Sequence, residues 1–416
     1  MGFLQDNGLD LQAIDAQALL ETFLDEMGAG LRGEGSLPMI PSDLHLPEGA
    51  IRDAEFPAFD VGGTNIRSAR VRFGSSGAPT VEGLQRGFMP GSRGHVTHAE
   101  FYRILCAVLT GNLRPGETLG YCFSYPVDED GRLLYWTKGI QADDIVGTDV
   151  RDDLAAALAE RGLPGCRVRI LNDTVAALLA AYAHGGTGDY AGVVGFILGT
   201  GTNTAYAERA ERIVKRPDLT PGALVPVNCE SGNFARFPHS AFDEAHERAI
   251  GTGHGQWEHC ISGAHLGDLG TIVLRAAADA GLLSPGLGDT VRSRGFSNIE
   301  LDDFCAGRRD DVLFCTAAEA RAVRALLIPL YERAALFAAI NVAAAGIASA
   351  RARGRDAGVI RVNADGSTLW KTACIPFVDR VRGHLETLLG PRGYTAEILR
   401  IDDAPLIGAA LAAAAR

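Results

Sequence analysis

Asp173 stands where the strand-like segment 168–171 breaks into Asn172, Asp173 and Thr174 ahead of an alanine-rich segment. A carboxylate between a strand and a helix has two uses. It can cap the helix, since Asn and Asp are among the commonest caps, or it can take a proton from a substrate hydroxyl in a cleft. FDVGGTN (59–65) and ILGTGTN (197–203) each follow an apolar run with glycines and a threonine. Glycines let backbone N–H groups approach an anion closely, and threonine adds a donor. Either turn alone is equally a hairpin connection; two of them fit a ligand with two or three phosphates held between lobes, with Asp60 near Mg²⁺. Lys138, in WTKG (136–139), is either an exposed turn lysine or a cation set against a transferring phosphate. Glu230 and Glu258 are either solvated carboxylates or a buried pair of acceptors for sugar hydroxyls.

These residues need a frame that brings strand ends together, and the apolar periodicity supplies an α/β pattern. Residues 11–32 read as an amphipathic helix ending in a glycine-rich break at 28–35. A strand at 56–61 meets Gly62 and Gly63, and alternation at Ile66, Ala69, Val71 and Phe73 predicts a strand returning as a hairpin. A helix at 151–161, a strand at 168–171 and a helix from Thr174 follow. A strand at 193–198, the turn Gly199, Thr200, Gly201 and a strand at 203–207 then repeat the first unit, a weak internal repeat. Residues 244–281 read as mostly helical and 292–311 as loop or short helices. Residues 317–352 predict one or two long helices with Pro329 as kink or boundary. Strands at 359–363 and 397–401 and a last alanine-rich helix complete the chain.

Length and composition set the class. A chain of 416 residues calls for two or three domains or two lobes sharing a cleft, and 47% hydrophobic against 22% charged residues describes a folded globular protein. The net charge of -12 disfavours nucleic acid and anionic membrane as partners without a local basic patch. Arg351, Arg353 and Arg355 read as a solvated helix end. Eight cysteines, with no C-x-x-C pair and no Cys/His cluster at zinc spacing, argue against a disulfide scaffold or structural metal. The start MGFLQDNGLDLQ has neither a basic region nor an unbroken apolar one, and Pro329, Glu332, Arg333 and Asn341 interrupt the most apolar stretch, 325–350. The expectation is a cytoplasmic protein with no membrane span.

The ordered segments FPAFDVGGTNIR (56–67), FSYP (123–126), LLYWTKGIQADDIVGTDV (133–150), LNDTVAALL (171–179), GFILGTGTNTAYAE (195–208), VNCESGNF (227–234), EHCISGAHLGDL (258–269) and ADGS (364–367) resemble the hexokinase family. The likeness extends to FLDEMGAGLRGEGSLPMIPS (23–42) and so spans most of the chain. It implies two actin-like, ribonuclease H-like lobes with mixed central sheets flanked by helices and an active site in the cleft between them. Residues 1–53 would join the large lobe, 54–170 with the C-terminal helix 405–416 form the small lobe, and 171–404 form the large one. The sugar-binding positions it implies are Ser124, Thr137, Lys138, Asn172, Asp173, Asn203, Glu230 and Glu258. Asp173 is the implied base, and Lys138 the implied cation on the γ-phosphate of ATP. Asp60, Gly62, Gly63, Thr64 and Asn65 would face the phosphates and Mg²⁺, with Asp60 reaching the metal through water. Gly199, Thr200 and Gly201 would hold ATP phosphate, and Gly366 with Ser367 would lie beside adenosine. The implied reaction moves the γ-phosphate of Mg-ATP to the 6-hydroxyl of a hexose, glucose first, with mannose or fructose as alternatives. Lobe closure would exclude water, with hinges at 51–58, 171–173 and 402–408.

Three departures from the family pattern stand out. Ser231 replaces the usual Trp after Glu230, which predicts looser packing behind the sugar. Residues 292–316 are shortened on the adenosine side. Ala404, Pro405, Leu406 and Ile407 replace a glycine-rich turn before the last helix. The repressor-like bacterial sugar kinases are a rival group, but their Cys-rich zinc motif and Glu-x-Gly-His motif are absent from this sequence. A non-catalytic hexose sensor is the other rival, and retention of Asp173 with Lys138 speaks against it.

Overall fold

Two glycine turns, each joining a pair of antiparallel strands, organise the chain into two sheets of matching plan. The computed structural model describes residues 2–46, 51–128, 130–136, 139–183, 190–313 and 315–415. In chain order the strands are β1 Ile40–Pro41, β2 Ala54–Val61, β3 Asn65–Phe73, β4 Pro79–Phe88, β5 Thr118–Phe123, β6 Arg167–Leu171, β7 Gly192–Leu198, β8 Thr202–Arg209, β9 Leu224–Asn228, β10 Gly358–Asp365 and β11 Tyr394–Leu399. One sheet has the order β4-β3-β2-β5-β6, and the other β9-β8-β7-β10-β11 with β1 added at its β9 edge. In each, the first strand pairs antiparallel with its hairpin partner and parallel with the next strand of the sheet, β2 with β5 and β7 with β10. The faint internal repeat in the sequence is therefore a structural duplication.

Burial follows the pattern of side chains. On β3, Ile66, Ser68, Val71 and Phe73 point inward while arginines 67, 70 and 72 are less covered. β7 is buried along nearly its whole length because helices cover both its faces. Its glycines mark the approaches: a Cβ on Gly195 would lie 2.5 Å from the backbone of Thr174 and Leu178, and one on Gly192 would lie 2.7 Å from Gly346 O. The last strand of each sheet leads into an alanine-rich helix, Asp173–Ala183 after β6 and Ala404–Ala414 after β11. These two helices pack against each other so closely that a Cβ on Gly408 would meet Ala176 O at 2.1 Å. The C-terminal helix also lies on β5, where a Cβ on Gly120 would meet Ala409 O at 1.7 Å. One apolar core, including Leu178, Leu179, Leu406 and Ala410, thus sits between the two sheets.

The helix Ala317–Ala352 runs unbroken through Pro329, so this segment is one helix and Pro329 is not a boundary. Proline removes one backbone hydrogen bond, and the buried packing of this helix outweighs that loss. It is long and apolar enough to cross a bilayer, yet its apolar window is wholly buried inside the protein. The segment 292–311 resolves into the helix Asn298–Cys305 and a short turn at Asp310–Val312. β11 begins and ends earlier than the expected 397–401: Tyr394 pairs with Gly358, and Ile401 instead donates its N–H to the Asn363 side chain at 3.0 Å.

Candidate active site

The strand-to-helix junction after β6 resolves the two readings of Asp173. Asn172 is the cap: its Oδ1 accepts the Thr174 N–H at 2.8 Å, and its carbonyl accepts from Ala176 N at 2.9 Å. The capping reading of Asp173 is therefore corrected. Asp173 is the first helical residue, half-buried, with the Thr174 hydroxyl on Oδ1 at 3.2 Å. A carboxylate in a first helical turn is favoured by the helix dipole without being consumed as a cap.

Glu230 and Glu258 are not surface carboxylates. Burial raises the Glu230 carboxyl above the ordinary range, and the Asp173 and Glu258 charges add to the rise against hydrogen bonds from Asn228 and Asn203. Asn228 Nδ2 donates to Glu230 Oε1 at 2.6 Å, and Asn203 Nδ2 approaches the same oxygen at 3.2 Å and Asn228 Oδ1 at 2.7 Å. Asn228 was not singled out from the sequence, although VNCESGNF contains it at the end of β9. Glu230 adopts φ 50, ψ 48, the left-handed region that few residues other than glycine occupy. Glu258 is raised chiefly by burial, against the Thr202 N–H that donates to its Oε2 at 2.7 Å. Two glycines make room for it: a Cβ on Gly201 would lie 2.5 Å from Glu258 Oε2, and one on Gly232 would lie 3.0 Å from Glu258 Cβ.

Ser231 is not a point of loose packing. It is fully buried, and its hydroxyl is bonded to Thr204 Oγ1 at 3.1 Å and to Asn341 Nδ2 at 3.0 Å. The expected loosening is corrected by partners from β8 and the long helix.

At the end of β2, burial raises the Asp60 carboxyl despite Arg67, whose Nε and Nη2 both reach Oδ2, at 2.9 and 2.8 Å; the Asp173 charge adds to the rise. Arg67 Nη1 also holds Asp403, at the head of the C-terminal helix, at 2.7 Å. Asp60 and Glu230 thus both lie within reach of the Asp173 charge, and Glu230 also within reach of Glu258. The turn after Asp60 is closed by Gly62 N on Asn65 O at 3.1 Å; Gly62 and Gly63 are half-buried, Thr64 and Asn65 exposed.

The second glycine turn builds a floor mainly from backbone. Gly199 O accepts from Gly263 N and from the Thr368 hydroxyl, both at 2.8 Å, and Thr200 O accepts from Ala264 N at 3.1 Å. A Cβ on Gly199 would lie 3.3 Å from Gly366 Cα, one on Gly263 would lie 2.6 Å from Thr368 Oγ1, and one on Gly366 would lie 2.2 Å from Leu198 O. Gly199, Thr200 and Gly201 are thereby brought beside Gly366 and Ser367. Gly263 and Thr368 are further members that glycine spacing alone did not single out.

A cavity of about 530 Å³ opens between the sheets, and its lining includes Asn172, Asn228 and Glu230 together with Tyr125, Arg151 and Arg216. Ser124, half-buried, lies between the lining residues Phe123 and Tyr125. Thr137 and Lys138 lie outside the described residues. Among the described residues no three His, Cys, Asp or Glu side chains lie at metal-binding spacing. Both Arg67 contacts fall on Asp60 Oδ2, so Oδ1 is the carboxyl oxygen that Arg67 leaves for another cation.

Two sequence profiles, both described as hexokinase, match residues 6–183 and 193–415. The chain belongs to the hexokinase family. Hexokinase-1 of Oryza sativa subsp. japonica is 36% identical over 269 residues, 59% of this chain and 53% of that protein. Hexokinase-3 of Arabidopsis thaliana is 32% identical over 321 residues, 70% of this chain and 62% of that protein. The chain spans about half the length of the curated relatives it matches, 53% to 58% for three rice hexokinases. A crystal structure of a hexokinase superposes with a TM-score of 0.78 at 26% identity, covering 100% of this chain and 99% of the other. The Schistosoma mansoni hexokinase, solved with glucose, has a TM-score of 0.76 at 24% identity and covers 98% and 96%. The two-sheet, actin-like architecture is thus the hexokinase family's, and Glu230, with Asn172 and Asn228, lines the cavity between its two sheets.

Proposed function

We propose that the chain is an ATP-dependent hexose kinase that transfers the γ-phosphate of Mg-ATP to the 6-hydroxyl of a hexose, with glucose as the first acceptor and mannose and fructose as alternatives. The observation that carries this reading is the division of labour at the strand end: Asn172 caps the helix and lines a cavity with Asn228 and Glu230, while Asp173, next in the chain, is not used as the cap and lies close enough for its charge to act on Asp60 and Glu230.

In this reading Asp173 accepts the proton of the primary hydroxyl as its oxygen attacks the γ-phosphorus and the bond to ADP breaks. Glu230, oriented by Asn228 and Asn203, and Glu258, held by Thr202 N–H, accept hydrogen bonds from other hydroxyls and fix the ring. Ser124 and Asn172 complete the sugar contacts, and the roles that the family resemblance implies for Thr137 and Lys138, a sugar contact and a cation for the γ-phosphate, belong to the same proposal. The backbone of Gly62, Gly63, Thr64 and Asn65, with Gly199, Thr200 and Gly201, takes the phosphates, and Gly366 with Ser367 flanks adenosine. Mg²⁺ arriving with ATP would supply charge neutralisation on the phosphates, and Asp60 is the residue that would hold it. Closure of the lobes excludes water from the transfer. A cytoplasmic location belongs to the same proposal, supported by eight cysteines that are all unpaired.

The test is ADP release by the purified protein with Mg-ATP and glucose, mannose or fructose. Hexose-dependent ADP release supports the reading. Hexose binding without ADP release favours the sensor, and neither one overturns both.

A further inference from the structure

Asn341 interrupts the most apolar stretch of the chain, and the reaction just described makes no use of it. It lies at 0% exposure within the helix Ala317–Ala352. A buried amide is costly unless its hydrogen bonds are made, so its partners say what it is for. They are Thr204 on β8 and Ser231, both also at 0% exposure. Thr204 Oγ1 donates to Asn341 Oδ1 at 2.7 Å, Asn341 Nδ2 donates to Ser231 Oγ at 3.0 Å, and the Ser231 proton is left for Thr204 Oγ1 at 3.1 Å. The three side chains form a closed ring in which each hydroxyl gives one proton and receives one.

Two corners of the ring are chain neighbours of residues that face the sugar. Thr204 follows Asn203, whose Oδ1 accepts from Thr204 N at 2.7 Å and from Ser231 N at 3.3 Å. Ser231 follows Glu230, whose left-handed backbone is a conformation that persists only where the surroundings over-determine it. The third corner anchors both to a helix that crosses the core. An apolar trio could fill the same volume, so the polar ring adds a defined orientation beyond filling space.

We infer that the Ser231–Thr204–Asn341 ring is a positioning device for the hexose pocket, holding Glu230 and the Asn203 amide in the geometry that receives the sugar. This rests on the hexose reading of the site. Thr204, Ser231 and Asn341 are positioning residues, acting through Glu230 and Asn203 without touching substrate.

An isosteric pair of variants tests it. Thr204→Val keeps the shape and removes the hydroxyl; Thr204→Ser keeps the hydroxyl and removes a methyl. Calorimetric Kd is measured for whichever of glucose, mannose and fructose the wild type binds, alongside the KM for MgATP and the thermal midpoint. Thr204→Val is expected to bind hexose about tenfold or more weakly with the MgATP KM within about twofold, while Thr204→Ser binds within about threefold of wild type whatever its midpoint. Hexose affinity that stays within about threefold in Thr204→Val, or that falls equally in both variants in step with the midpoint, overturns the inference. If Thr204→Val does not fold, Ser231→Ala carries the same expected loss, and wild-type affinity in it is equally fatal. A wild type that binds no hexose refutes the reading of the site itself, and the device falls with it.

Discussion

Gly201 is the residue whose replacement most cleanly separates the sugar site from the fold. Its backbone is not in the left-handed region, so alanine is conformationally acceptable there. The added Cβ would lie 2.5 Å from Glu258 Oε2, inside any van der Waals contact, while the Gly201 carbonyl that accepts from Gly199 N at 2.9 Å is retained. The atom that must give way is the end of a flexible side chain, so the carboxylate swings and loses the Thr202 N–H held at 2.7 Å. A hydrogen bond to a charged group is worth about 1.5–3 kcal/mol. If the displaced carboxylate loses one such bond to a sugar hydroxyl, Gly201→Ala weakens hexose binding roughly 10- to 150-fold, at 1.4 kcal/mol per factor of ten. Stability should change little, because burial already opposes the charged form of Glu258 and its displacement relieves that cost. Titration calorimetry of hexose without nucleotide, with a thermal midpoint on the same sample, measures both. A hexose Kd within about twofold of wild type would refute the placement of Glu258 in the sugar site.

Glu230→Gln exchanges activity for stability. Burial, with Asp173 and Glu258 nearby, raises the folded-state pKa of Glu230, so its ionised form subtracts from stability above that value, while below the unfolded value of about 4.3 the protonated form is fully accommodated. The glutamine variant should melt above wild type at pH 8, the difference vanishing by about pH 4, while hexose affinity falls about tenfold or more; a variant less stable than wild type at pH 8 contradicts this. The Asp243–Arg333 pair is a structural counterpart, with both side chains nearly inaccessible and two contacts at 2.7 Å. Burial pushes Asp243 up, but the guanidinium and Ser240 overcome it and hold the carboxyl down to about 2, so its contribution is present above pH 4 and lost as pH falls toward 2. Arg333→Met should cost about 3–5 kcal/mol in urea denaturation, and adding Asp243→Leu should recover most of it. Small-angle scattering at saturating hexose should show a smaller radius of gyration, and an unchanged radius would count against lobe closure.

What was legible in the sequence was local. Both glycine turns announced themselves because each ends an apolar strand and starts a returning one, and Asp60 and Asp173 stood at the ends of strands, whereas Glu230 and Glu258 had no such position to mark them. The alternatives that stayed open depended on atoms too close or too distant in sequence for pattern to separate. Asn172 and Asp173 are adjacent and chemically equal as caps, and only backbone geometry shows which one turns to Thr174 N. Asn341 read as a break in an apolar run because its partners lie 110 and 137 residues away. Ser231, taken against the family pattern, implied looseness for the same reason. Pro329 carried a local signal that core packing overrode, and Ile401 extended the expected last strand although its N–H is bonded to a side chain. Gly263 joins the glycine floor through contacts with Gly199 and Thr368, which no spacing rule anticipates.

The central claim is that Asp173 is the base of a hexose kinase. Because Asn172 holds the helix cap, Asp173→Asn should fold with a thermal midpoint near that of wild type. Hexose-dependent ADP formation at saturating Mg-ATP should then fall about 10²- to 10⁴-fold in the variant, the usual contribution of a positioned general base. Turnover retained within about tenfold of wild type, in a variant that still binds hexose, would contradict the account.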